Sequence, residues 1–294
     1  MGKNRSEQQC FNSDMKALLR QRLLGKRAAQ SPFSFRRRKA LDRIEDQSIL
    51  AGVAIYGRDE LISMMAVDRI SDQEILLHVV LYADFEHGCC HALEKLKDLS
   101  MLTTAAQICP RFYVRERAVK RLEDSGTLAE IVLTDPDVSV RCAAAERITD
   151  QKALCCLLED DRIRQQYFNR ERLALVRNLD SSFQTLLAGL ALEDPYEDIR
   201  RNAVERLEDT DTLEKLTHSE HTLAIRLAAI RRLDNQAVLA KAPLTDAAAV
   251  VRGAAIGRLS DQEVLTEIAQ TDSEELIRMA AVRRLTYLNE EYDL

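Results

Sequence analysis

The chain has 294 residues, 46% of them hydrophobic, and a formal net charge of −6, which supplies a large core for one elongated array or two ordinary domains. Nine Gly, five Pro and no Trp speak against a turn-rich β-sandwich or doubly wound α/β enzyme and favour helices with short connections. No run of about 18 or more apolar residues is present, which excludes a membrane-spanning helix.

The N-terminus has no short apolar core followed by small residues and does not read as a secretory signal. The seven cysteines are odd in number and none is spaced Cys-x-x-Cys. They read as free thiols of a reducing compartment, so a cytoplasmic location is expected.

Residues 1–34 are set apart as a basic N-terminal arm. Residues 1–39 hold eleven Lys and Arg against Glu7 and Asp14, whereas the rest of the chain is acidic. Ser13 and Asp14 are placed to cap a helix running to about Arg27, with Met15, Leu18, Leu19 and Leu23 on one face. Such a helix can close off the first repeat, as solenoid ends require. A basic amphipathic helix can also lie on an anionic membrane, bind nucleic acid or dock to an acidic partner. Both readings stand at this point.

From residue 35 to residue 294 one phrase recurs, clearest at Val140-Arg141-Cys142-Ala143-Ala144-Ala145-Glu146-Arg147-Ile148. With its first Arg as anchor, the equivalent positions are 37, 63, 89, 115, 141, 172, 200, 226, 252 and 278. Seven of the nine spacings are 26 residues, and the other two are 31 and 28. Apolar residues at anchor −1, +3, +4 and +7 have helical spacing. A small Ala at +3 would let helix backbones approach closely. Asp at +9 (Asp46, Asp72, Asp98, Asp124, Asp150, Asp209, Asp261) predicts the N-cap of a second helix with Leu at +13. A second Asp, six before the anchor (Asp135, Asp194, Asp246, Asp272), predicts the cap of the anchor helix. Twenty-six residues cannot bury a helix pair's apolar face alone, so neighbours must complete each core.

The phrase Asp-x-x-x-x-(Val/Ile)-Arg-x-x-Ala-(Val/Ala)-x-x-Leu resembles the second helix of HEAT-like repeats of the short bacterial type, similar to those of bilin-lyase-type proteins. The resemblance covers about residues 32–294. It implies an all-α, right-handed α-solenoid of about ten two-helix units. It also implies that the anchor Arg reaches an Asp of an adjacent turn, which suits the forked donors of Arg. On function the resemblance allows a binding scaffold or adaptor, or an accessory, lyase-like role on a cofactor-bearing partner. The array is irregular at 155–195, where Arg162 to Asn178 includes Gln165, Gln166, Tyr167 and Phe168. An interruption there would change the curvature or form a lip.

Catalytic patterns are absent. There is no Gly-rich phosphate loop, Gly-x-Ser-x-Gly elbow or His-Glu-x-x-His. None of the five histidines is followed by Glu, unlike the di-iron hydroxylases built on HEAT-like repeats. His87-Gly88-Cys89-Cys90-His91 has metal-ligand residue types, but no second His/Cys group at zinc spacing follows, and burial of the thiols between repeats is favoured. No catalytic residue, metal or cofactor is therefore expected, and the chain is read as a non-enzyme. The column at anchor +5 lies opposite the apolar stripe and is the sequence's candidate for a concave, partner-binding face. It reads Asp42, Asp68, Glu94, Lys120, Glu146, Arg177, Glu205, Arg231, Gly257 and Arg283, acidic early and basic late.

Overall fold

The structure is a computed structural model that describes residues 18–164, 168–218 and 221–292. The chain divides into two compact units, Met1–Ile148 and Thr149–Leu294. Among the described residues there is no β-strand.

In the first unit residues 18–30 form α1. Anchor helices α2 (Ser34–Leu41), α4 (Glu60–Asp68), α6 (Glu86–Lys95), α8 (Phe112–Val119) and α10 (Val138–Arg147) follow, alternating with second helices α3 (Gln47–Tyr56), α5 (Gln73–Tyr82), α7 (Leu99–Ile108) and α9 (Ser125–Thr134). The second unit begins with α11 (Gln151–Glu159) and the short α12 (Asp161–Arg164). Its anchor helices are α13 (Asn169–Asn178), α15 (Glu197–Val204), α17 (Leu223–Arg232), α19 (Ala249–Ile256) and α21 (Glu275–Tyr292). Between them lie α14 (Gln184–Glu193), α16 (Thr210–Leu216), α18 (Gln236–Thr245) and α20 (Gln262–Thr271). Each unit is thus a stack of helix pairs, and the protein is an all-helical repeat solenoid.

The 26-residue period explains the core. The +3 alanines Ala66, Ala92, Ala118, Ala144, Ala203, Ala229, Ala255 and Ala281 are fully buried, and the +13 leucines from Leu50 to Leu265 are buried with them. The +9 carboxylates cap the second helices as expected. Asp46 accepts from the N–H groups of Ser48 and Ile49, Asp72 from Glu74 and Ile75, and Asp261 from Glu263 and Val264. Each such cap is worth about 1 kcal/mol.

Two expectations are corrected. The Asp at −6 does not cap the anchor helix. The N-cap of α10 is Asp137, which accepts from Ser139 N–H. Asp135 stands two residues earlier and accepts from Asp137 N–H at 2.8 Å, and Asp194, Asp246 and Asp272 do the same to Tyr196, Ala248 and Glu274. The remaining acceptor capacity of each carboxylate serves an arginine, described below. In α1 the buried residues are Leu24, Ala28 and Ala29, while Leu18, Leu19 and Leu23 are exposed. The register of α1 is fixed by Gln21, as shown next; Ser13, Asp14, Met15 and Lys16 lie outside the described residues.

A glutamine ladder went unread in the sequence. Gln47 Nε2 donates to the Arg69 carbonyl while its Oε1 accepts from Ser71 N–H, so one side chain spans two repeats. Gln73, Gln151, Gln184 and Gln236 repeat the pattern on Lys95, Asn178, Arg206 and Arg258. Gln21 makes the same two bonds, to Arg43 O and from Glu45 N–H. It stands 26 residues before Gln47, which makes α1 equivalent to a second helix.

Candidate interaction surface

The two arginine columns must be placed before any surface can be defined, because they are the largest concentration of positive charge in the array. The anchor arginines point inward. Arg115 donates from Nε and Nη2 to the two oxygens of Asp135 at 2.8 and 2.9 Å, and from Nη1 to its own turn at Cys109 O, 2.8 Å. Arg226 with Asp246 and Arg252 with Asp272 show the same bidentate geometry. Arg172 pairs with Asp194. Arg37 has Gly57 twenty residues on and uses Asp59 instead, at 2.5 Å. Where the anchor is not Arg, the Asp is also missing: Ser63 faces Ala83 in register and Cys89 faces Cys109. There Ser63 Oγ donates to Ala54 O, and a Cβ on Gly88 would come within 2.8 Å of that hydroxyl, so small residues take up the space of the ion pair.

The +6 column caps the preceding anchor helix. Arg121 donates to Leu96 O at 2.5 Å, Arg206 to Val176 O and Leu179 O at 2.9 and 2.6 Å, and Arg284 to Leu259 O at 2.9 Å. Lys95 serves Val67 O and Asp68 O in the same way. Cations on the last carbonyls of a helix also suit its dipole. Beyond the first repeat both columns are consumed by the scaffold and do not form a basic surface.

Burial and hydrogen bonding compete in these pairs. The hydrogen bond that Arg115 donates to Asp135 outweighs desolvation and pushes Arg115 up. At Asp272 burial works upward, but the Arg252 hydrogen bond, the Glu274 N–H and the charge of Arg252 together hold the carboxyl below the usual 3.8. The Arg172–Asp194 pair is more deeply enclosed; desolvation dominates there, lowering Arg172 and raising Asp194. The capping carboxylates Asp98, Asp124 and Asp209 are held below 3.8 by the hydroxyls of Ser100, Thr127 and Thr212 and by backbone N–H groups. A carboxyl depressed in the folded state contributes its full stabilisation above 3.8 and loses it as pH falls through the lower, folded value. The urea midpoint is expected to be level from about pH 7 to pH 5 and to drop steeply below about pH 4. A midpoint unchanged at about pH 3 would contradict the role given to these carboxylates.

All nine charged residues of the +5 column are exposed. In the first unit Asp42, Asp68, Glu94 and Glu146 accompany Lys120; in the second Arg177, Arg231 and Arg283 accompany Glu205. Some already have neighbours: Asp68 accepts from His91 at 2.6 Å and Lys120 donates to Glu116 at 2.5 Å. Gly257 ends α19 and adds no side chain.

The His/Cys segment lies on α6. His87 pairs with Glu60 at 2.5 Å and His91 with Asp68, so both rings face carboxylates of α4. Cys89 and Cys90 are buried; desolvation, then Cys89, pushes the Cys90 thiol up to about 11. In the irregular region α12 takes up part of the insertion; Gln165, Gln166 and Tyr167 lie outside the described residues. A cavity of about 680 Å³ opens there, lined among others by Cys155, Arg164, Arg172, Phe183 and Glu193.

No protein-family model matches the sequence, and the search of curated proteins found no match. Among solved structures, the chain is similar to a leucine-rich repeat variant with a novel repetitive structural motif. The two share 18% identity over 83% of this chain and 88% of that one, with a TM-score of 0.57. That likeness shows the fold, a helical repeat solenoid. Human deoxyhypusine hydroxylase in complex with glycerol aligns over 94% of this chain and 99% of its own at 14% identity, with a TM-score of 0.21. No helix among the described residues is long and apolar enough to cross a membrane.

Proposed function

We propose that the protein is a non-catalytic, cytoplasmic scaffold or adaptor of the HEAT-like type that binds a protein partner along the exposed face of its anchor helices. The observation that carries this reading is the division of labour among the charges. Beyond the first repeat the anchor and +6 arginines are spent on carboxylates and carbonyls of the array, whereas the +5 column faces solvent. Within each unit a row of charges at repeat spacing suits recognition of an extended partner. Packing supports the choice of face. In the second unit the anchor helices α13, α15, α17, α19 and α21 pack successively on one another, while the row of second helices is looser. We take this closer row as the inner one of a curved stack.

The test is charge reversal at Arg231 and Arg283, two exposed residues that form no ion pair among the described residues. Partners captured by the wild-type chain are identified by mass spectrometry, and their affinity is then measured with the Arg231→Glu/Arg283→Glu chain. Rim charges act mainly on association rate, so a roughly tenfold weaker affinity with a reduced salt dependence is expected. Unchanged affinity, with helicity intact, would remove this face from the proposal.

A further inference from the structure

The first repeat differs from the others at the face that would receive a preceding anchor helix. At anchor −1 seven of the nine later units place Ile62, Val114, Val140, Ile199, Ile225, Val251 and Ile277, and the other two Gly88 and Glu171, all buried. The first places Arg36, which is exposed. At +6 all later units but the one with Asn178 bring a cation, Arg or Lys95, onto the carbonyls of the preceding anchor helix. Among the described residues no anchor helix precedes α2, and Arg43 has no carbonyls to cap. A cleft of about 450 Å³ lies at this place, lined by Leu24, Arg27, Ser31, Arg36, Lys39, Ala40 and Arg43. Four of its seven lining residues are cations and none is an acid. Among the described residues no carboxylate pairs with any of the four. Solubility of an array's end needs only a polar outer face, and mixed charges would serve; a wall of one sign is a site for an anion.

Apolar side chains flank this cleft. Leu19, Leu23 and Arg27 follow one another at i, i+4 on the outer face of α1, which leads into it. On the other side Arg36 stacks over Phe33 at 4.7 Å and Phe35 at 5.7 Å. Leu19, Leu23, Phe33 and Phe35 are 54, 56, 50 and 65% exposed. Residues 15–41 contain no Asp or Glu. Aromatic rings beside arginines would also suit unpaired nucleic-acid bases, which stack on π faces. The exposed leucines have no π face to offer a base and gain by leaving water for an apolar layer. Cations among exposed leucines and phenylalanines are the chemistry of an interfacial membrane contact.

We propose that the cleft between α1 and α2 docks the protein on an anionic lipid surface. Arg27, Arg36, Lys39 and Arg43 take lipid phosphate or carboxylate headgroups, and Leu19, Leu23, Phe33 and Phe35 enter the boundary below them. The site is independent of the protein-binding face proposed above.

The test is co-sedimentation of the full chain with phosphatidylcholine vesicles, with and without phosphatidylserine. Binding to the anionic vesicles alone is expected, weakening as salt is raised. Each cation at such a surface is worth about fivefold, so Arg36→Gln/Lys39→Gln/Arg43→Gln should lower the partition constant on the order of a hundredfold. Phe33→Ser/Phe35→Ser keeps the charge and should weaken binding roughly tenfold or more. Arg231→Glu/Arg283→Glu should sediment as the wild type does, which separates this site from the partner face. Equal binding to neutral vesicles, or a helical triple variant that sediments undiminished, would overturn the proposal. So would binding of a single-stranded oligonucleotide by a chain that ignores anionic vesicles.

Discussion

Asp135→Ala should destabilise the first unit by about 3–5 kcal/mol, one of the largest single-residue effects in the protein. Arg115 and Asp135 have side chains only 8% and 4% exposed and satisfy each other through two parallel bonds. Removing the carboxylate leaves a guanidinium desolvated and unpaired, and that penalty dominates the cost. It also frees the Asp137 N–H that shapes the turn before α10. The test that isolates the pair is a double-mutant cycle with Arg115→Met and Asp135→Leu, read by urea unfolding. The double variant should cost less than Asp135→Ala alone, because no buried charge remains. Strictly additive losses would show that the two side chains stabilise the array separately. A surface pair gives the control: Asp198, beside Arg201 on α15, is well exposed, and Asp198→Ala should change stability by under about 0.5 kcal/mol.

The same pair shows what could and could not be read from the amino-acid order. The anchor positions, the helix pairs and the +9 caps were legible because each is a local pattern repeated at one spacing, and repetition averages away chance. The pairing of an anchor with the Asp twenty residues on was also present in the sequence. Arg115, Arg226 and Arg252 have that Asp, while Ser63 and Cys89 have Ala83 and Cys109. The −6 Asp was nevertheless assigned to the cap of its own helix. An Asp shortly before a helix looks like a cap on any local rule, and only three-dimensional register brings in the arginine of the previous repeat. The glutamine ladder was missed for a related reason. A Gln after a capping Asp is an ordinary first-turn residue, and its two bonds go to backbone atoms, which have no sequence signature. In α1 the run of Leu18, Leu19 and Leu23 drew attention away from Gln21 and Leu24, whose phase matches Gln47 and Leu50. The +5 column was found at the surface because helical phase alone fixes it. What it binds depends on the partner's shape, which no intrachain pattern encodes.

The charge pattern gives the fold its specificity as well as its surface. Arginines at two fixed positions per repeat could have left the body sticky toward polyanions. Most are instead tied to a carboxylate 20 or 22 residues ahead, to carbonyls of their own turn, or to carbonyls of the preceding repeat, as for Arg226 with Asp246, Arg200 with Asp194 O and Arg206 with Val176. Those bonds also set register, since a slip of one residue would strand a buried guanidinium.

Leu128→Ala tests how far such an array behaves as one cooperative body. Leu128 is fully buried in α9, and α9 packs on α10. Truncation should cost about 2–5 kcal/mol, the transfer of the lost methyl groups plus the cavity that remains. The stability of stacked repeats is close to a sum of unit terms and nearest-neighbour interfaces. The loss therefore falls on α9 and its neighbours and lowers the coupling between the repeats on either side. Denaturation of Leu128→Ala should then separate into phases, with probes in α3 and α10 no longer reporting one midpoint. Leu265→Ala, at the equivalent position of α20, meets α21 beyond it. Its loss should appear as early unfolding of α20 and α21, with the rest of the chain melting as before. If both variants shift a single common transition by equal amounts, interfaces between repeats are strong enough to hold the chain to two-state unfolding, and the nearest-neighbour description of this array is wrong.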